Sequence, residues 1–262
     1  MRGPYRIAVA ASGSGGAEAV SEGARPAVRG RRRIYRSVAT AAESGGHTVR
    51  LDNRVARTPA GRTLVLPTAA LAEAVAAEWQ VQGATVQPET MPLTRLAATA
   101  IDRIEAERAG VIDALVAYGA SDLVCYRSER PADLAARQEA QWEPLLEWAE
   151  TALGVRLAVT RDVFPLPQPQ AATEALRGVV AALGTLELAA LSCIVQISAS
   201  LVIGLALVKG RLDAETAFSA AMLDEQYQAE RWGEDAWASA RAAGLRAELF
   251  AAARFLALAR PT

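Results

Sequence analysis

The sequence predicts an α+β fold, with a small N-terminal antiparallel sheet, one covering helix, and a larger all-helical bundle behind them. Three observations carry this expectation. Between residues 33 and 67 short alternating runs are punctuated by turn residues. From about residue 93 onward the apolar residues recur at the helical period. Aromatics supply only 5% of a chain that is 52% hydrophobic, so alanine and leucine must fill the interior, which favours helices. The 262 residues can bury a sizeable core. The boundaries expected are a disordered arm over 1–30, a small α+β domain over 31–90 and a helical domain over 91–262.

The first 30 residues are rich in Gly, Ser, Ala and Arg, with too few bulky apolar side chains for a core. Within them "IAVAASGSGGAEAV" imitates a strand, glycine turn and helix. A dinucleotide fingerprint would want glycine where Glu18 stands, and no second strand ending in an acid follows. The basic arm fits a mitochondrial presequence, whereas a secretory signal is excluded because no apolar run follows the initial charge.

"RIYRSVATAAESGG", "HTVRLDNRVARTP" and "GRTLVLP" read as strands in hairpins, joined at Asp52-Asn53 and Pro59-Ala60-Gly61. Thr68 is placed to cap a helix over "AALAEAVAAEWQVQG", ended by Gly83, with Trp79 as an anchor between helix and sheet. Helices are then expected over about 93–119, 131–153, 170–183, 185–209 and 213–258, the last broken near Gly233 or Gly244. Pro165, Pro167 and Pro169 hold an extended connector between the second and third of these.

The uncharged stretch "LAALSCIVQISASLVIGLALV", 188–208, would reach roughly 30 Å as one helix, enough to cross a bilayer. Ser192, Gln196, Ser200 and Gly204 recur every fourth residue and offer a small, polar ridge for close helix packing. The segment is solitary, lacks flanking aromatics and a basic cluster, and lies among amphipathic helices that need apolar cover. It reads as the central helix of a soluble bundle, with a membrane-anchored helical protein as the alternative.

Net charge is −1, which gives no overall reason to bind nucleic acid or an anionic membrane. Cys125 and Cys193 lack metal-ligand spacing and read as small buried apolar residues. His47 is the only histidine, and reads as a surface residue of a hairpin, so histidine-based triads and HExxH sites have no residues to use. No GxSxG or phosphate-binding loop is present, and an EF-hand fails because Ala229 stands at the sixth position counted from Asp224. No catalytic residue, cofactor or metal is expected.

What remains is "MLDEQYQAERWGED", 222–235, with Asp224, Glu225, Glu230, Glu234 and Asp235 beside Tyr227 and Trp232. As one helix, it would put Tyr227, Glu230 and Glu234 on one face and Asp224, Gln228, Arg231 and Asp235 on the next. Such a face is either solvated surface or a reversible protein-binding surface, with rings including Trp237 for contact area and negative charge to steer a basic partner. Composition leaves both readings open.

Several blocks in order resolve this. "LDNRVARTPAGRTLVLPTAALAEAVAAEWQVQG", "MPLTRLAATAIDRI", "SDLVCYR", "QWEPLLEWAE", "ALSCIVQISASLVIGLALVKGRLDAETAF" and "DEQYQAERWGED" resemble the assembly chaperones of the F-type ATP synthase catalytic head, the Atp-twelve type, over some 200 residues. The resemblance implies a small α+β domain before a helical one, no enzymatic activity, no obligatory cofactor or small molecule, and no membrane insertion. It implies a soluble, monomeric chaperone that binds the free alpha subunit until the beta subunit replaces it, in a bacterial cytoplasm of alphaproteobacterial type or in the mitochondrial matrix. It also points to the acidic C-terminal helix for partner binding: Glu225, Glu230 and Glu234 first, with Asp224, Tyr227, Trp232 and Asp235 in support. For Arg95 and Asp102, in the "MPLTRLAATAID" block, a part in chaperone function and a structural part, for instance pinning the domain junction, stay equally open. The chain departs from the family in its extra arm and in "LDNR", where glycine is common in the turn.

Overall fold

The computed structural model describes residues 32–162, 164–233 and 235–261. The expectations for the arm over 1–30 and for Glu234 fall outside these residues.

Strands β1 (Val38–Glu43) and β2 (Gly46–Leu51) form a hairpin, and β3 (Arg54–Val55) and β4 (Val65–Leu66) share the other edge of β2. All pairings are antiparallel, as alternation and turn chemistry predict. The β2–β3 turn forces Asp52 to φ 55, a left-handed conformation that glycine adopts more easily. Its carboxylate accepts hydrogen bonds from the amides of Arg36 and Ser37 and from the Ser37 hydroxyl, at 2.9–3.0 Å. Those bonds offset the strain and explain how the chain tolerates an aspartate there.

Helix α1 (Ala69–Gln80) lies on this sheet, burying Leu71 and Val75 against Val49 and Leu66. Thr68 caps it, accepting from the Leu71 amide at 3.1 Å. Trp79 is half-buried and meets Tyr35 edge-on, with ring centroids 5.8 Å apart. Glu78 reaches across to the next helix, where its carboxylate accepts from the amides of Leu93 and Thr94, both at 2.8 Å. A carboxylate from α1 thus satisfies the free N-terminal amides of α2 (Pro92–Thr99). The α2 helix passes through one π-helical turn, Ala100–Ile104, into α3 (Glu105–Ala120).

Helix α4 (Ala132–Leu153) follows a short 3-10 turn at Leu123–Cys125, and Gly154 ends it in the left-handed conformation. The proline-rich connector is extended and held in place: the Gln168 side-chain amide bonds both the N–H and the C=O of Ala158, and the Leu166 N–H donates to the Tyr126 hydroxyl. Helix α5 (Gln170–Ala181) then packs on α3.

The apolar stretch departs from the single helix expected. It forms α6 (Thr185–Ser198) and α7 (Leu201–Val208), separated by Ala199 at φ 51 and by Ser200, whose hydroxyl accepts from the Ile203 amide at 3.0 Å. Among the described residues no helix is long and apolar enough to cross a membrane, so the membrane-anchored alternative loses its span. Every residue of α7 is buried, among α3, α4, α6, α8 (Ala214–Ala221) and α10 (Ala236–Ala259).

The break has an identifiable cause. Asp122 is fully buried, and its carboxylate accepts from the amides of Val202 at 3.0 Å and Val124 at 3.2 Å. Those contacts satisfy the start of α7 from another segment of the chain. Burial pushes the Asp122 carboxyl up to about 6, partly opposed by hydrogen bonding from Ser200 and the backbone amides. The fold-back is tight at Gly204, where a Cβ would lie 2.7 Å from Leu191 Cδ1 and 2.8 Å from Val195 Cγ2. The small-residue ridge is therefore divided: Gly204 sits between α6 and α7, while Gln196 faces solvent.

Helix α10 closes the molecule. Leu249, Ala252, Phe255 and Leu256 are buried in contact with α6, α2 and α1, and the Thr68 hydroxyl donates to the Leu258 carbonyl. Cys125 is buried as expected, but Cys193 is only half-buried. His47 is half-buried in β2.

Two outcomes follow. A carboxyl raised from 3.8 to about 6 binds its proton more tightly in the folded state, so its contribution to stability is complete only below its unfolded pKa, by about pH 3, and is lost as pH rises through 6. Relative to Asp122→Asn, the wild type should therefore lose up to about 3 kcal/mol of its advantage between about pH 3 and pH 7, read from denaturant unfolding at each pH. Replacing Gly204 by valine should cost on the order of 1–3 kcal/mol through overpacking, measured the same way.

Candidate functional site

The acidic segment folds as α9 (Leu223–Trp232), and it ends there because Gly233 takes φ 88 and ψ 157. Asp235 is not on α9: it caps α10, accepting from the Trp237 amide at 3.2 Å. The continuous faces expected over 222–235 are thus cut at the glycine, and the acids divide between two helices.

Tyr227 faces inward and is 2% exposed. Its ring offers no contact area to a partner, contrary to the aromatic edge expected of it. Its hydroxyl donates to Asp133 Oδ1 on α4 at 2.8 Å, and the guanidiniums of Arg137 and Arg231 lie 5.3 and 5.1 Å from its ring centre. Burial first, and then the bond to Asp133, raises the Tyr227 pKa. That same bond, followed by the Arg231 guanidinium, holds Asp133 below the usual carboxylate range.

Three more contacts bind α9 to α4. Arg231 pairs with Asp133, Glu230 with Arg137 at 2.7 Å, and Asp224 accepts from Gln138 Nε2 at 2.8 Å. Asp224 is half-buried, and loss of hydration raises its pKa. Glu225 is exposed, yet surrounding protein, with the neighbouring Asp224 charge a lesser cause, raises its pKa too, while Arg241 on α10 opposes the shift. Neither Glu225 nor Asp235 has an ion-pair partner among the described residues. Trp232 and Trp237, on either side of Gly233, are 76% and 73% exposed.

This arrangement is poorly suited to acid–base catalysis. The carboxylates spread over two helices and an open surface, and Glu230 and Asp224 already have partners. A groove of about 350 Å³ opens elsewhere, between α2, α3, α6 and α10, lined by Tyr118, Ser192 and Cys193, but of its charges Arg95 and Glu248 pair with each other at 3.2 Å and Arg103 pairs with Glu107 at 3.3 Å. Among the described residues no three His, Cys, Asp or Glu side chains come together to hold a metal ion.

A model of the ATP12 chaperone protein family matches residues 32–150. Atp12 from Paracoccus denitrificans, solved in one form and again as an aspartate-to-lysine variant, superposes with a TM-score of 0.82 at 42% identity, covering 88% of this chain and 98–99% of that one.

The chain belongs to the ATP12 family.

A putative chaperone from Agrobacterium tumefaciens superposes equally well, TM-score 0.82, at 37% identity over 87% of this chain and 86% of its own. The mitochondrial atp12 protein of Schizosaccharomyces pombe is 29% identical over 219 residues, 78% of this chain and 75% of the relative.

In this ATP12-family chain Asp102 and Arg95, which the sequence leaves open between function and structure, both tie elements together. Asp102 accepts from the Thr58 hydroxyl at 2.6 Å and from the Ala60 amide at 3.0 Å, which fastens the β3–β4 loop to the π-helical turn. Arg95 joins α2 to α10 through Glu248. What sequence reasoning missed is the partner set on α4. Asp133 and Arg137 stand at i and i+4, a spacing equally consistent with an ordinary solvated helix face, so no signal distinguished them. Tyr227→Phe, which removes the donor to Asp133, should speed amide exchange across 223–232 while leaving α6 unchanged, as hydrogen-exchange mass spectrometry would register.

Proposed function

We propose that this protein is a non-enzymatic assembly chaperone for the F-type ATP synthase, binding the free alpha subunit of the catalytic head and shielding its interface until the beta subunit takes its place. Membership of the ATP12 family carries this reading. The alpha subunit as client comes from the block resemblance, and the α9 acids as binding groups from the family pattern together with their exposure. The proposed contacts are Glu225, Glu230, Trp232 and Asp235, with Glu234, which lies outside the described residues, added from the family pattern alone; Asp224 and Tyr227 hold the helix in place from beneath. The chaperone acts as a soluble monomer, without cofactor, in a bacterial cytoplasm or a mitochondrial matrix. The occurrence of relatives in Paracoccus and, as a mitochondrial protein, in Schizosaccharomyces pombe supports these two compartments.

Exposed negative charge that has no internal partner suits the task, because it steers and orients a basic client surface at little cost to the chaperone's own stability. Glu225 is the cleaner probe than Glu230, since a lysine at 230 would face Arg137 and disturb the α4–α9 attachment. Co-purification with tagged alpha and beta subunits tests the reading: wild-type protein should retain alpha. Glu225→Lys should weaken that capture about tenfold, with a melting temperature within about 2 °C of wild type. Absence of any association between wild type and alpha would refute the assignment of the client.

A further inference from the structure

Strand β1 is the long free edge of the sheet: β2 pairs with one side of it, and among the described residues no strand pairs with the other. The register fixes which of its backbone groups are left over. The Asp52 amide donates to the Ser37 carbonyl at 2.9 Å, and these two residues stand opposite each other one step beyond Val38 and Leu51. Antiparallel ladders alternate bonded and non-bonded pairs, so Ala39, Ala41 and Glu43 bond to β2. The N–H and C=O of Val38, Thr40 and Ala42 therefore point outward, and no described residue satisfies them.

Nothing in the strand blunts this edge. Exposed edges are commonly protected by lysine, proline or a bulge, whereas β1 reads Val-Ala-Thr-Ala-Ala-Glu in unbroken register over all six residues. Its one charge, Glu43, is turned to β2, where it accepts from Arg50 at 3.0 Å and from the Thr48 hydroxyl at 3.2 Å. Ala39, Thr40 and Ala42 are exposed, and their small side chains leave the outer backbone open to close approach.

We propose that the outer edge of β1 takes an extended, uncharged segment of the client as an added strand, one rich in valine, isoleucine and threonine. The inference rests on the chaperone reading for its client; the free backbone groups stand without it. In strand addition the ladder supplies the affinity and the cross-strand side chains supply the preference. Threonine and β-branched residues pair well beside Val38 and Thr40, whereas a charge in the segment would meet no free counter-charge, because Glu43 and Arg50 already pair. A second copy of this chain is the poorer occupant. Two β1 strands would meet over six residues a side, against the roughly 20–30 a side of a stable interface. A client that must later be handed on needs no more than such a short ladder.

The test titrates the full-length protein, labelled for NMR, with the peptide Thr-Val-Thr-Val-Thr carrying a lysine at each end for solubility, and with its fully backbone N-methylated form. The unmethylated peptide should slow exchange of the Val38, Thr40 and Ala42 amides and leave Ala39 and Ala41 unchanged; the methylated form should bind about tenfold weaker or worse. Thr40→Pro removes one outward donor and no β1–β2 bond, so it should melt within about 4 °C of wild type and bind the peptide about tenfold more weakly, while Thr40→Val binds as wild type does. Should the proline variant unfold, the methylated peptide on wild type decides. Equal binding of the two peptides, or no binding of either, overturns the proposal. So does protection of the three amides in the free monomer, which would mean that residues 1–31 cover the edge, or a dimer that Thr40→Pro breaks, which would put a second copy there. Capture of the alpha subunit separates this inference from the one it rests on. Equal capture by wild type and Thr40→Pro sinks the edge as a client contact and leaves the chaperone reading; peptide binding without capture of alpha sinks the client assignment and leaves the edge site.

Discussion

The bundle depends on one buried carboxylate. The charge-free run from Leu188 to Val208 is long enough for one continuous helix of membrane length. Asp122 divides it by accepting the amides that open α7, so that Val202 and its neighbours begin a second helix instead of continuing the first. Gly204 then allows α7 to lie directly against α6. One apolar segment thereby supplies two walls of the core, and α3, α4, α8 and α10 close around them. The arrangement holds an acid in a dry site, which is why its affinity for a proton rises.

The same device recurs elsewhere in the fold. Glu78 satisfies the first amides of α2 from α1, and Asp102 fastens the β3–β4 loop to the start of the long helical run. In each case a carboxylate joins segments distant in sequence by accepting backbone or hydroxyl donors, an oriented contact that apolar packing alone cannot provide. Together with α10, whose last turns reach back to Thr68, these contacts lock the sheet layer to the bundle. Glu78, Asp102 and Asp122 are thus structural acids.

This bears on what could be read from the sequence. The strand alternation, the Thr68 cap and the helical periods after residue 93 are local patterns, and the fold follows them. The division of α6 from α7 is not local: it comes from Asp122, which lies more than 60 residues upstream, and the apolar run itself contains neither glycine nor proline at the break. The acidic segment failed as a continuous face for a different reason. Helical spacing assigns sides only while the helix continues, and Gly233 stops it after Trp232. Tyr227 was legible as an aromatic in a charged helix but not as a buried one, because its burial depends on Asp133, Arg137 and Arg231 converging from two helices.

The attachment of α9 differs in kind from that of α6 and α7. Only Leu223 and Tyr227 of α9 are buried, and its other ties to α4 are ion pairs and hydrogen bonds at or near the surface. Exposed pairs of this sort are worth little individually, so the helix is positioned more by the buried tyrosine than by the charges surrounding it. The consequence is mechanical. A basic client segment can compete with Arg137 or Arg231 for an acid of α9 at small cost, while Tyr227 and the Asp133 carboxylate keep the helix in register. A surface built this way holds its exposed tryptophan in place yet can be released by another basic surface of similar shape, and handover between partners requires both properties.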